Sequence, residues 1–324
     1  MDHDRQQARD PDNSVRRGGV ARLLLRVFRW TGLLRSMKGA HDQQEQPHLP
    51  WENLPREMLA EVAKHLPTAS PVETAKNLTN FKLMSHSARQ AVADDPALTT
   101  FSTQLDRLGA AARALHSLDL PKASLEDRVW ATAPTLKFRT GAEQSAIVKR
   151  LLSASPALKR AHAIKGMADH LGDLDDRNRT RLLERLIKQF ERYKPGQETV
   201  LWPVACALAH THNYLNDSQG ARLHDAINKR PELGRLYANA RDRLYNPLSP
   251  PEPAVVTQSS NLNNSITEIE ASADELVRVH SRRGSSNNIH GIRAVAVSIN
   301  GAYHRARAEL TVLMHGKVDE GWRV

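Results

Sequence analysis

The side chains able to do chemistry are few. The chain has fifteen histidines, and the densest group is His210-Thr211-His212 with His224. Residues two apart on a helix point to different faces, so this pair is poorly placed to chelate one ion. They read as surface or repeat-interface histidines. Cys206 is the only cysteine, which rules out an internal disulfide and a Cys-rich zinc site. It sits in an apolar run with no His/Asn signature around it and reads as a buried structural thiol. No Gly-rich phosphate loop, G-x-S-x-G elbow, H-E-x-x-H pair or EF-hand loop is present. The expectation is a protein with no cofactor, no metal and no catalytic residue.

Charge is the other chemical resource. Arg177, Arg179, Arg181, Arg185, Lys188, Arg192 and Lys194 are offset in sequence only by Glu184 and Glu191. Most such runs are solvated helix faces; an acidic substrate or a nucleic acid is the alternative. A net charge of +10 is compatible with acidic partners and by itself does not point to nucleic acid. Between Asn13 and Ala40 there is no acid, and seven basic residues interleave with Val20, Leu23, Leu24, Val27, Phe28, Trp30, Leu33 and Leu34. That pattern makes residues 20–38 a basic amphipathic helix, suited to an anionic membrane or an acidic groove, or simply docked or used in export.

Positioning these residues falls to helices. Aromatics are 5% of 324 residues, so the core should be Leu and Ala packed between helices, and the fold class is all-α. No run reaches the ~18–20 apolar residues of a membrane span. The N-terminus lacks an apolar stretch followed by a small-residue cleavage site, which weighs against a secretory signal peptide. Residues 1–50 read as a disordered export region that carries the basic helix of 20–38. Ser124-Leu-Glu-Asp127 and Thr140-Gly-Ala-Glu143 are capping boxes that start helices. Arg160–Lys188 can be laid on Leu201–Lys229, pairing Ile164 with Val204, His170 with His210, Leu182 with Leu223, Glu184 with Asp225 and Leu186 with Ile227. An offset of about 40 residues is the size of a two-helix repeat, so residues 99–246 are expected to stack hairpins into a short α-solenoid, with a plain bundle as the alternative. Residues 247–264 are a Pro/Ser/Asn-rich linker. Helices over 266–280 and 289–314 would form a C-terminal hairpin within 265–324, with Ala294–Ile299 open to a short strand. Arg282-Arg283-Gly284-Ser285, in the loop between them, matches a basophilic kinase site.

Between Trp51 and Leu98 the pattern is denser. Leu54-Pro55 puts a proline at the first helical position, Glu57 stands in the first turn, and Met58, Leu59, Val62, Ala63 and Leu66 form one stripe. Ser70-Pro71-Val72-Glu73 starts a second helix. Leu83, Met84, Ala88, Ala91 and Val92 give a third its inner face. Three short helices in under about fifty residues bury little surface alone and need something to cover them.

This segment resembles an F-box. The family pattern of Leu-Pro, an acid, two large apolar residues, a further aliphatic and a closing leucine is matched by Leu54, Pro55, Glu57, Met58, Leu59, Val62 and Leu66. Its second half is matched by Leu78, Phe81, Leu83, Met84, Ser85 and Arg89. Two departures stand out: about two helical turns are inserted between the halves, near Thr68–Lys76, and Ala88 replaces a common tryptophan. The resemblance implies docking on a host Skp-type adaptor of a cullin–RING ubiquitin ligase (an SCF complex), through Leu54, Pro55, Met58, Leu59, Val62, Leu66, Leu78, Phe81 and Met84. The helical repeats would then hold the target protein. Ala/Arg-rich helical hairpins behind a polar N-terminus are similar to those of type III secreted effectors of plant-associated bacteria, which implies secretion into a host cell as a virulence factor. The alternative is a helical scaffold whose residues 51–95 only cap the repeats.

Overall fold

The computed structural model describes residues 54–118, 123–154, 157–192, 194, 196, 198–245, 261–283 and 288–320. The basic helix expected over 20–38 and most of the linker lie outside them, as do Gly284 and Ser285. The described residues are helical throughout, with no strand among them. The described residues divide into two compact units, one formed by those within 54–66, 77–99 and 314–320, the other by those within 67–76 and 100–313.

In the first unit, α1 (Arg56–Lys64) packs against α3 (His86–Asp94). Pro55 does not open α1 from inside, as the spacing suggested. It stands just outside at the N-cap, with φ −53° and ψ 145°, because the extended ψ that leads into the helix belongs to the capping residue. Ser85 caps α3 by accepting from Ala88 N at 3.0 Å, which puts Ala88 in the buried first turn, 1% exposed. Lys64 is also buried; its Nζ lies 2.8 Å from Glu61 and 2.9 Å from Asp95. Asp95 in turn accepts from the backbone of Ala97 and Leu98, capping the helix that follows. Burial alone would lower the Lys64 pKa, yet the hydrogen bonds to both carboxylates hold it above its usual value.

The second unit is built of hairpins. The helices α5 (Leu125–Thr132), α7 (Ala157–Gly166), α9 (Glu198–His210) and α11 (Pro231–Tyr245) pack in sequence as one layer. The helices α6 (Gly141–Ser153), α8 (Asp176–Glu191) and α10 (Asp217–Lys229) form the other, each beside its successor. Every hairpin turns in the same way. A 3-10 segment follows the first helix (Ala133–Phe138, Ala168–Asp173, His212–Tyr214), and a polar N-cap opens the second: Thr140, Asp175 and Asn216. The two capping boxes read from Ser124 and Thr140 are both formed. The repeat is therefore real, with one correction: His170 lies in a 3-10 segment whereas His210 ends α9, so these two are not equivalent. Ile164, Val204, Leu182, Leu186 and Leu223 all face one Leu- and Ala-rich core.

Side chains one turn past each cap lock neighbouring hairpins. Gln144 donates to Asp173 O at 3.0 Å and accepts from Asp175 N at 2.9 Å. Asn178 donates to Ser145 at 3.0 Å, and Gln219 to Thr180 O at 3.3 Å. The bonds of Gln144 satisfy backbone groups that the tight turn at Asp173–Asp175 would otherwise leave unpaired.

The C-terminal helices belong to this unit up to Leu313. They are longer than the periodicity indicated: α12 runs Leu262–Arg283 and α13 Ile289–Glu320, with Ala294–Ile299 helical. They bind α4 (Pro96–His116) and the first hairpin. Arg107 Nε donates to Glu270 at 2.8 Å, and Gln104 to Asn263 at 2.8 Å. Arg293 donates to Trp130 O at 2.6 Å. Tyr303, fully buried, packs edge-on to Phe138 at 5.8 Å.

Candidate docking surfaces

The nine side chains assigned to docking separate by burial. Leu59, Val62, Leu66, Leu78 and Phe81 are each at most 6% exposed and belong to the chain's own core. Leu54, Met58 and Met84 are half-buried, and Pro55 is exposed. Leu83, at the turn after α2 (Pro71–Lys82), is 69% exposed, the most exposed large apolar side chain of the described residues. Met58 lies in the first turn of α1, and Leu54 just precedes its N-cap. This part of the surface can supply apolar anchors.

The inserted turns have a defined role. Pro67–Lys76 counts with the second unit. Within it, Tyr303 Oη donates to Thr68 O at 2.7 Å and lies 2.9 Å from Thr74 Oγ1. Thr68 N donates to Thr74 Oγ1 at 2.8 Å. The insertion carries hydroxyl and carbonyl partners to a buried tyrosine of α13.

The second unit buries several titratable groups. His116 is held neutral: burial first, then the nearby Arg139 guanidinium, push its pKa down to about 3. Its Nε2 lies 2.7 Å from Thr135 Oγ1. Burial lowers Lys137 to about 8; its Nζ is 2.7 Å from His304 Nε2 and over the Tyr303 ring at 5.5 Å. No sequence signal marked these residues, because their partners are far along the chain. Cys206 is buried in the repeat core, and burial pushes its thiol up, away from the reactive thiolate. His212 meets the Tyr237 hydroxyl at 3.0 Å and His224 meets Asn228 at 2.9 Å. Among the described residues no three His, Cys, Asp or Glu side chains are grouped to hold a metal, and no helix is long and apolar enough to cross a membrane.

Between α8 and α10, Arg222 grips two carboxylates. It binds Glu184 at 2.7 Å through Nη1, and Glu191 bidentately through Nε at 3.0 Å and Nη2 at 2.7 Å. Hydrogen bonds to Glu191 and then Glu184 hold its pKa above the usual guanidinium value.

Taken together these features define, over the described residues, an all-α protein of stacked helical hairpins. Over 94 residues it is 38% identical to Virulence protein F of Agrobacterium tumefaciens (strain 15955). That match takes in 29% of this chain and 46% of the relative, so it spans less than half of the relative's length. No family model and no solved structure matches the chain.

Proposed function

We propose that the chain is a bacterial virulence protein that works as an F-box-type adaptor. In this reading residues 51–98 dock on a host Skp-type protein, and the hairpins of 99–246 hold a target beside a cullin–RING ubiquitin ligase. The observation that carries it is the Leu54-Pro55…Glu57-Met58-Leu59 pattern on a short helix of its own three-helix segment. The partial similarity to Virulence protein F supports the virulence setting, and with it delivery into a host cell, for which a type III system is the route proposed. Catalysis would come from proximity: tethering raises the target's effective concentration at the ligase with no chemical step in this chain.

In this reading the nine residues have different tasks. Leu54, Pro55, Met58 and Met84, joined by Leu83, supply contact, while the five buried side chains hold the helices that present them. The test is pull-down of a Skp-type protein by the full chain and by the Leu54→Ala/Pro55→Ala variant. Loss of capture with unchanged helicity and melting temperature is expected; unchanged capture sinks the assignment.

A second reading has an observation of its own. Burial of five of the nine residues within the chain is what a purely structural cap requires. On that reading the same double variant lowers the melting temperature and alters no binding.

A further inference from the structure

We infer that the exposed face of α8 is a docking site for an acidic polypeptide segment. In sequence this helix looked like a mixed run, seven cations against two carboxylates. The structure removes the carboxylates from the balance. Glu184 and Glu191 are both bound by Arg222 of α10, and Arg179 is turned away, paired with Asp176 and lying 6.0 Å from the Tyr214 ring. On the helix and its C-cap, Arg177, Arg181, Arg185, Lys188 and Arg192 remain, all exposed, while Lys194 lies beyond the helix end. At 100° per residue these five fall within an arc of about 80°, and they span about 22 Å of helix axis. Among the described residues none of them forms an ion pair.

The shape of the stripe selects the partner. It is one helix wide. The neighbouring α10 exposes Asp217, which would repel a phosphate row of a duplex laid across both helices, while its Asp225 is paired with Lys229. Base stacking by a single strand needs aromatic platforms, and every exposed side chain of the stripe is aliphatic-stemmed and basic. A row of mostly arginines, each able to take a carboxylate in two parallel hydrogen bonds, fits a narrow chain of Asp and Glu. About seven extended residues cover its length. The inference is independent of adaptor docking, since the binding it describes needs only α8 and its Arg222 support.

The experiment is fluorescence anisotropy of the full chain with a labelled peptide of about eight glutamates, set beside a labelled random-sequence DNA duplex. The variant Arg181→Glu/Arg185→Glu/Lys188→Glu should weaken the peptide by about tenfold or more with an unchanged melting temperature. Lys76→Glu/Lys165→Glu/Arg235→Glu, the same charge change off the stripe, should weaken it far less. Arg222→Met, which frees Glu184 and Glu191 at the edge of an intact stripe, should weaken it several-fold. Equal losses in both triple variants overturn the proposal, because the attraction is then only net charge. Stripe-dependent capture of the duplex in preference to the peptide also overturns it.

Discussion

The first unit's apolar face and the cationic face of α8 are both dense in their residue type, and they meet opposite fates. Apolar groups gain by being covered at once, at roughly 25 cal/mol per Å², so the F-box-like stripe is largely consumed by its own fold. Cations of one sign have no such drive to collapse. They stay in water unless a carboxylate reaches them, and Arg222 holds the two that are near. A density of leucines therefore overstates how much docking surface is present, and a density of arginines interrupted by glutamates understates it.

The sharpest way to break this comparison is at α2 and the turn after it. Phe81→Ala should cost about 4 kcal/mol of stability in chemical denaturation, as the loss of a fully buried ring does. Leu83→Ala, two residues on, should change stability by less than about 0.5 kcal/mol and yet reduce capture of a Skp-type protein. Equal stability costs would mean that exposure does not separate support from contact. Next in size is the ion pair inside the first unit. Asp95→Asn leaves the buried Lys64 with Glu61 as its one remaining carboxylate and weakens a helix cap, at a cost of about 2 kcal/mol, measured as a lower denaturant midpoint.

The smaller effects are in pH, and they distinguish the two units. Asp95 is held below its ordinary 3.8: burial opposes this, and hydrogen bonds from Lys64 and the Leu98 and Ala97 backbone prevail. Its contribution is thus complete above about pH 4 and is lost only as the solution becomes more acidic. His116 departs from 6.5 to about 3. The unfolded chain takes up that proton first, so its contribution is complete above pH 6.5 and falls from there toward pH 3. Hydrogen exchange between pH 7 and 5 should show the second unit losing protection while the first keeps it. His116→Gln should reduce that response, with the remainder coming from His210 and His304, which burial also holds below the ordinary histidine value.

What could be read from residues alone was local. Ser124 and Thr140 announce their helices because a capping box closes within four residues. The Leu54–Leu66 stripe shows itself because its period fits one turn after another. The offset pairing of Ile164 with Val204 exposed the hairpin repeat. What stayed hidden depended on distance in sequence. Glu184 meets Arg222 across 38 positions, Arg107 meets Glu270 across 163, and Thr74 meets Tyr303 across 229. No periodicity carries such pairings. The start of α12 lies ahead of its apolar periodicity: Asn261 caps it, its Oδ1 accepting from Asn263 N at 2.9 Å, and Leu262 and Ser265, which extend it, are buried by tertiary packing.

The Tyr303 hydroxyl gives the insertion after α1 a consequence for engineering. Residues 51–98 look like a cassette that could be lifted out and fused elsewhere. Pro67–Lys76, inside that cassette, is counted with the second unit, and its Thr74 has no exposed surface. Excision would leave Thr74 and the Thr68 carbonyl facing water, and Tyr303 without its acceptor in the remaining chain. A transplant therefore needs those turns redesigned, not merely cut at the borders the motif suggests.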